Sequence, residues 1–222
     1  MNTINNYIEH TLLKPDAKEE GILKLIHEAE ENKFFGICIN PCYVQFAKDN
    51  MSSKDIKLVT VVNFPLASNT IDTILFQTEE ALKNGADEID TVINISALKD
   101  KNYSKVISDI KKTKDVCRDN NLKVILETDL LSSTEIVEAS KCATEGGANF
   151  VKTSTGFVKG GVGAKVEDVK LMYDTVKSFG LGVKASGGIK NYASAVELIK
   201  AGAVRLGTSS GVDIILGEKQ YV

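Results

Sequence analysis

The chain has 222 residues, a formal net charge of −3 and 43% hydrophobic residues. This composition is ordinary for a globular protein and supplies enough apolar side chains for a sizeable core. The slightly negative charge gives no reason to expect a nucleic acid or an anionic membrane surface as a partner. The N-terminal sequence MNTINNYIEH is polar, and no apolar run reaches spanning length, so a cytoplasmic protein is expected.

Short apolar, β-branched runs alternate along the chain with longer segments in which apolar residues recur at helical spacing. The first predicted strand departs from this pattern because it contains the polar pair Glu9 and His10. The strands are predicted at residues 7–11, 35–39, 57–62, 87–94, 122–127, 149–152, 181–185 and 203–206.

A local signature recurs where a helix gives way to a strand, as in KNGADEID (83–90), EGGANFVK (145–152) and AGAVRLG (201–207). Glycine supplies the left-handed residue that ends a helix. Most predicted strands follow each other at roughly 20–35 residues, the size of a βα unit. Eight such units predict an α/β protein with a (β/α)8 TIM barrel fold, in one domain over residues 1–222. A doubly wound open sheet has the same periodicity and stands as the alternative.

The cysteines and histidines give little support for a disulfide framework or a zinc site. No CxxC pattern is present, no secretory context is evident, and there are only two histidines. Reduced and largely buried thiols are therefore expected. The four cysteines are Cys38, Cys42, Cys117 and Cys142.

Two lysines stand out from the many others in the sequence. All but two of the 27 basic residues are lysines, and most are expected on solvated helix surfaces. Lys152 and Lys184 instead lie within short apolar strands and precede small residues, in KTSTG (152–156) and KASGG (184–188). In a barrel, the loops after the strands build the active site, so both lysines are candidate site residues. The alternative is that both merely extend from the barrel mouth into solvent.

A Schiff base is the chemistry that such a pair of lysines would serve. An amine must be unprotonated to attack a carbonyl, but an ordinary lysine with a pKa of ~10.4 is protonated at pH 7. A second cation ~4 Å away would oppose protonation by roughly 4 kcal/mol at an effective dielectric of 20. That repulsion corresponds to about three pKa units. Two lysines on nearby strand ends would meet this requirement.

Asp90 is a third charged residue within a predicted strand, DEIDTVINI. The alternation of the strand places Ile89 and Thr91 on one face and Asp90 and Val92 on the other. An acid that points into a barrel needs a cationic partner or a role in proton transfer. A purely structural ion pair with a lysine and a proton-transfer role both remain open.

Two glycine-rich turns follow the seventh and eighth predicted strands, at residues 186–188 (SGG) and 207–211 (GTSSG). Glycines let backbone N–H groups approach an anion closely, and barrels often bind phosphate at these two loops. A phosphorylated small-molecule substrate is therefore predicted. The glycine-rich loop at 155–170 is either a mobile rim over the substrate or a flexible connection.

These residues together give the sequence a close resemblance to the deoxyribose-phosphate aldolases in their short bacterial form. The resemblance implies a (β/α)8 barrel and a class I aldolase that needs neither metal nor another cofactor. It also implies reversible cleavage of 2-deoxy-D-ribose 5-phosphate to D-glyceraldehyde 3-phosphate and acetaldehyde, in deoxyribose phosphate catabolism. The stretches that carry it are IEHTLLKPDA (8–17), ICINPCYV (37–44), ADEIDTVINISALK (86–99), VILET (124–128), FVKTSTGF (150–157), VEDVKLM (166–172), VKASGGIK (183–190) and AGAVRLGTSSG (201–211).

Carried over by motif, the resemblance assigns a role to each of the three charged residues. Lys152 would form the Schiff base, and Lys184 would be the second lysine that perturbs its pKa. Asp90 would join Lys184 in relaying protons, through a water molecule. The residues implied for phosphate binding are Gly187, Gly188, Gly207, Ser209 and Ser210.

The resemblance also suggests further candidates around the site. Thr155 and Gly156 belong to the KTSTG motif, and Cys38 lies at a strand end, where a packing role is expected. Tyr221 is a candidate for a tail residue that folds over the site, although chain termini are more often disordered. The implied partner is a small phosphosugar, with no nucleic acid or membrane, and a homodimer is a further expectation.

Four positions depart from the pattern of the family. Glu9 stands where Asp is usual, Asn63 and Ala67 stand where glycines are common, and Ser96 stands in place of Gly. None of them is one of the three charged candidates, so the departures concern loop geometry or rate.

Two other functions stay open: a different phosphosugar barrel, such as a transaldolase-like enzyme or another Schiff-base lyase, and a phosphosugar-binding protein without catalysis.

Overall fold

The computed structural model of the protein describes residues 3–221, with the backbone alone for 219–221. In this range eight strands alternate with helices. The strands are β1 Ile8–Leu12, β2 Gly36–Ile39, β3 Lys57–Val62, β4 Glu88–Val92, β5 Asn121–Ile125, β6 Phe150–Lys152, β7 Gly182–Ser186 and β8 Arg205–Thr208. The α-helices are α1 Glu19–Glu31, α2 Val44–Asn50, α3 Ile71–Lys83, α4 Ile95–Lys99, α5 Tyr103–Cys117, α6 Ser133–Glu145, α7 Val166–Val176, α8 Tyr192–Lys200 and α9 Gly211–Tyr221.

The strands form a closed parallel barrel. They pair in chain order, and β1 also pairs with β8, where Glu9 lies opposite Gly207. The predicted (β/α)8 barrel is confirmed, and the open sheet is excluded. Strand β4 ends before its predicted end because Asn94 already caps α4, its side-chain oxygen accepting a hydrogen bond from Ala97 N at 3.0 Å.

The predicted transitions from helix to strand are confirmed at three glycines. Gly85, Gly147 and Gly202 have φ angles of 105°, 80° and 115°, in the left-handed region that a Cβ atom disfavours. Each lies between the end of a helix and the start of the next strand. The chain therefore reverses direction at these points without straining a larger residue.

The barrel has two apolar regions, one outside the sheet and one inside it. The larger region lies between the strands and the surrounding helices, with Ile37, Leu58 and Leu122 fully buried. Burial of such side chains supplies most of the stability of a domain. The smaller region lies within the barrel and consists of Leu13, Cys38, Val59 and Val61, packed against Phe64.

The thiols agree with the prediction from sequence. Cys38, Cys117 and Cys142 are buried, Cys42 is exposed, and all four are free. Burial raises the pKa of Cys117 and of Cys142 to about 11, so both stay protonated at neutral pH. In the part of the chain that the structure describes, no His, Cys, Asp and Glu side chains form a group of three or more suited to a metal ion. The helices of residues 3–221 are also too short or too polar to cross a membrane.

Three of the four departures from the family pattern have a local structural account. Asn63 and Ala67 have φ angles of 52° and 56°, so both occupy a conformation that glycine adopts more easily. Asn63 is anchored there, since its side-chain Nδ2 donates to the carbonyl oxygen of Val92 at 3.1 Å. Ser96 lies in the first turn of α4, where any residue with helical backbone angles is accommodated.

Arg118, at the C-terminal end of α5, offers a test of backbone strain. It has φ 51° and ψ −116°, a conformation suited to glycine, and its side chain is exposed. Replacement Arg118→Gly should therefore raise the free energy of unfolding by about 1 kcal/mol, measured by urea denaturation. Lys111→Gly, at an exposed helical position of α5, is the matched control and should lower it by about 1 kcal/mol. Equal losses in both variants would contradict the assignment of strain to Arg118.

Candidate active site

A cavity of about 400 Å³ opens at the carboxyl ends of β1, β6, β7 and β8. This is the end of a (β/α)8 barrel at which active sites are built. Eight of the residues predicted from sequence line it together. They are Lys152, Thr155, Gly156, Gly187, Gly188, Gly207, Ser209 and Ser210.

Lys152 connects the cavity with a buried network of charges below it. It is the last residue of β6 and is only 3% exposed, although it lines the cavity. Its Nζ donates a hydrogen bond to Oδ2 of Asp90 at 2.7 Å. An amine in this position can meet a molecule in the cavity while keeping a carboxylate partner behind it.

Asp90 and Lys184 lie beneath Lys152 and do not line the cavity. Both are fully buried. The Nζ of Lys184 donates to the same Oδ2 of Asp90, also at 2.7 Å. The two lysine nitrogens therefore lie no further apart than twice that distance, as the sequence hypothesis required of residues on neighbouring strand ends.

Three further charged residues, which the sequence interpretation left out of the site, complete this network. Lys123 lies 3.0 Å from Oδ1 of Asp90 and 2.6 Å from Oε2 of Glu88. Glu9 forms an ion pair with Lys184, and its Oε1 lies 3.6 Å from Lys123. The six side chains form a continuous ionic cluster within the barrel, where branched apolar residues are more usual.

The sequence carried a signal for these residues. Lys123 stands between the apolar Leu122 and Val124, and alternation places it on the same face of the sheet as Asp90, its register partner in β4. The reasoning that singled out Asp90 applies equally to Lys123. Glu9, which departs from the family pattern, was noted only as polar in a predicted strand.

The cluster shifts the pKa values of its members strongly. Burial alone would raise the pKa of Asp90, but the ammonium groups of Lys123, Lys152 and Lys184 hold it well below its usual range. Burial alone would lower the pKa of Lys184, but the carboxylates of Asp90 and Glu9 outweigh burial and raise it. At neutral pH Asp90 is therefore a carboxylate and Lys184 a cation. The sequence suggested repulsion between Lys152 and Lys184. In the structure both ammonium groups contact the same carboxylate oxygen of Asp90, which offsets that repulsion.

Part of the cavity wall comes from the two glycine-rich turns, and Leu12 and Leu13 also line the cavity. Gly187 and Gly188 have φ angles of 86° and 74°. A Cβ atom at Gly207 would lie 3.1 Å from the Cε of Lys184, which is closer than side chains normally pack. Glycine at these positions keeps the backbone open to a ligand and leaves room for the buried lysine.

A buried glutamate fixes the KTSTG segment. Glu127 is 2% exposed, and its carboxylate accepts hydrogen bonds from the backbone N and the hydroxyl of Thr155. The backbone N to carboxylate distance is 2.9 Å. Charge-assisted bonds of this kind hold a loop in one conformation. Glu127 belongs to the VILET stretch but was not predicted to support the site.

The loop between β6 and α7 is packed against the turn at Gly187. A Cβ atom at Gly163 would lie 2.4 Å from the carbonyl carbon of Gly187, and Ala164 N donates to Gly187 O at 3.0 Å. Oδ2 of Asp129 accepts from Gly163 N at 2.8 Å. The start of this loop lines the cavity at Gly156 and Phe157, and these contacts hold its C-terminal part in place. Whether the loop is a mobile rim or a flexible connection stays a prediction.

The last two candidates from the sequence are Cys38 and Tyr221. Cys38 is fully buried in the apolar cluster inside the barrel, and burial raises the pKa of its thiol. This position agrees with the packing role expected of it. The side chain of Tyr221 lies outside the described residues.

Comparison with known proteins identifies relatives over nearly the whole chain. The model of the DeoC/LacD family aldolases matches residues 8–217. The deoxyribose-phosphate aldolase of Streptococcus sanguinis is 50% identical over 216 residues, which are 97% of each chain. That of Staphylococcus carnosus is 51% identical over 211 residues, which are 95% of this chain and 94% of the relative.

Solved structures agree with this relationship. The crystal structure of a putative deoxyribose-phosphate aldolase from Coccidioides immitis superimposes with a TM-score of 0.94 at 36% identity, covering 99% of this chain and 86% of the other. The deoxyribose phosphate aldolase of Aeropyrum pernix, described as tetrameric, gives a TM-score of 0.86 at 32% identity, covering 99% and 92%. The chain belongs to the DeoC/LacD family of aldolases.

Proposed function

We propose that the protein is a class I aldolase that reversibly cleaves 2-deoxy-D-ribose 5-phosphate to D-glyceraldehyde 3-phosphate and acetaldehyde. The observation that carries the proposal is the position of Lys152, whose amine reaches a cavity lined by two glycine-rich turns while it contacts the buried Asp90. The family and the names of relatives about half identical to this chain support the same activity.

The reaction begins with formation of a Schiff base on Lys152. The neutral amine adds to the C1 aldehyde of the open-chain sugar, and the carbonyl oxygen takes up a proton. Lys184, kept protonated by its carboxylate partners, is the proton source in this role, and because it does not line the cavity it acts through Asp90 and a water molecule. Loss of the C1 hydroxyl as water then converts the carbinolamine into an iminium ion.

Cleavage of the C2–C3 bond follows from the electron demand of the iminium ion. The C3 hydroxyl loses its proton, C3 becomes the aldehyde of glyceraldehyde 3-phosphate, and the bonding electrons form an enamine between C1 and C2. Protonation at C2 and hydrolysis then release acetaldehyde and regenerate the amine. Asp90, within 2.7 Å of both Lys152 and Lys184, is the carboxylate that relays these protons, through a water molecule where the substrate is not in direct reach.

The substrate phosphate is assigned to the wall of the cavity that the glycine-rich turns form. Ser209 and Ser210 offer hydroxyl groups beside this wall, and Lys14 and Lys190 line the same cavity with cationic side chains. Positive charge and hydrogen-bond donors together suit a phosphate dianion. The other residues in this role are Gly187, Gly188 and Gly207.

Three expectations from the sequence stay predictions. They are a single domain over residues 1–222, a cytoplasmic location and a homodimer. The tetramer named for the Aeropyrum pernix relative is a property of that protein.

Reductive trapping tests the nucleophile and the substrate class together. Incubation with acetaldehyde and borohydride should add one ethyl group to Lys152, detected by mass spectrometry of peptides. Lys152→Ala should lose the adduct and at least ~10³-fold in kcat for deoxyribose 5-phosphate, because the covalent route is removed. Lys159→Ala, an exposed lysine of the neighbouring loop, is the matched control and should retain both. A transaldolase-like enzyme would not release acetaldehyde, and a binding protein without catalysis would bind the sugar phosphate without turnover.

Charge reversal at the phosphate wall tests the assignment of the second part of the site. Ser209→Asp should lower kcat/KM for 2-deoxyribose 5-phosphate by roughly 10–100-fold, because a carboxylate repels the phosphate. Cleavage of unphosphorylated 2-deoxyribose should not fall. Ser178→Asp, at an exposed position after α7, is the control for added charge and should leave both values unchanged. Equal losses for the two sugars would place the phosphate elsewhere.

A further inference from the structure

Lys123 and Glu88 form an ion pair of the cluster that does not line the cavity. Lys123 is fully buried and Glu88 is 4% exposed, and neither lines the cavity. Asn121 Nδ2 donates to Oε1 of Glu88 at 2.7 Å and holds that carboxylate beside Lys123. Neither residue therefore lies where it could touch a substrate in the cavity, and any effect on catalysis must pass through the other charges of the cluster, of which Asp90 is the one that contacts Lys152.

The contacts divide Asp90 between two sets of cations. Its Oδ2 accepts from Lys152 and Lys184, whereas its Oδ1 accepts from Lys123 alone among the described residues. Lys123 in turn forms an ion pair with Glu88, with its Nζ 2.6 Å from Oε2 of the carboxylate. Glu88 is thus linked to Lys152 through three buried ionic contacts, by way of Lys123 and Asp90.

The cluster contains three lysines and three carboxylates, so its net charge is zero when all six are ionised. Burial removes most of the solvent screening that would weaken interactions between these charges. Loss of a proton from Lys152, the step that creates the nucleophile, leaves the cluster with a net charge of −1. The ease of that step therefore depends on every fixed charge in the cluster, including those that do not contact Lys152.

On the basis of the proposed function, we propose that Glu88 is a positioning residue that acts through Lys123 and Asp90 to set the pH at which Lys152 becomes a nucleophile. Removal of the Glu88 charge leaves an excess of positive charge, which favours proton loss from Lys152. Removal of the Lys123 charge has the opposite effect. A double change restores the balance and should restore the original pH dependence.

Other titratable or charged groups lie near this pair, within the cluster or beside it. Cys38 stays a neutral thiol because burial raises its pKa. The remaining charged side chains of the cluster are Glu9 from β1, Asp90 from β4, Lys152 from β6 and Lys184 from β7. Arg205 from β8 lies beside the cluster and outside the count, with its guanidinium 5.8 Å and the Nζ of Lys123 6.0 Å from the Phe150 ring.

The pH dependence of kcat/KM for 2-deoxyribose 5-phosphate tests the proposal. Glu88→Gln should move the midpoint of the acidic limb to lower pH by about one unit, and Lys123→Met should move it to higher pH by a similar amount. The double variant should return close to the midpoint of the unmodified protein. A merely structural role would lower activity at every pH without shifts of opposite sign.

The pair Lys99 and Glu135 is the matched control, because these residues form an ion pair at 2.8 Å on the surface, between α4 and α6. Lys99→Met and Glu135→Gln should leave the midpoint unchanged. Shifts in the same direction for Glu88→Gln and Lys123→Met, no shift, or a double variant that does not return would each overturn the proposal.

Folding and function are checked separately. If Lys123→Met does not fold, the shift in Glu88→Gln and its reversal in the double variant decide the question, since the double change leaves no unpaired charge from this pair. Borohydride trapping on Lys152 in the unmodified protein reports the proposed function itself. Successful trapping with unmoved midpoints would reject the role of Glu88 and leave the aldolase assignment intact.

Discussion

One carboxylate, that of Asp90, organises the interior of this barrel. Lysines from three different strands, Lys123, Lys152 and Lys184, converge on its two oxygens. A buried ammonium group without a partner is expensive, so the three strands can bring their lysines together only because the carboxylate is present. The same requirement gives the site its chemistry, since one of the three amines faces the cavity and the other two remain cations.

Much of the fold could be predicted because it rests on local patterns. The period of βα units, the glycines at the ends of helices and the apolar strand runs each depend on residues close together in sequence. The barrel was favoured over an open sheet by counting units, but closure itself depends on the pairing of β1 with β8, which are far apart in the chain. The predicted strand ends were less accurate where a polar residue caps the next helix instead of continuing the strand, as Asn94 does at the start of α4.

Residues of the candidate site were predictable where the neighbouring sequence is unusual for their residue type. Residues that act through contacts with distant parts of the chain were missed. Lys152, Lys184 and the glycine-rich turns stand out because small residues surround them at strand ends. Lys123 was missed because lysine is abundant, so a single one inside a strand carried little weight. Glu127 supports Thr155 across 28 positions of sequence, and no local pattern shows that contact.

The close approach of Gly163 to Gly187 joins the loop between β6 and α7 to the glycine-rich turn after β7. A side chain at either position would push the two backbones apart, so substitutions of Gly163 and Gly187 should be poorly tolerated. A broader range of acceptor aldehydes would have to be accommodated on the β1 side of the cavity, where Leu12 and Leu13 contribute ordinary replaceable side chains.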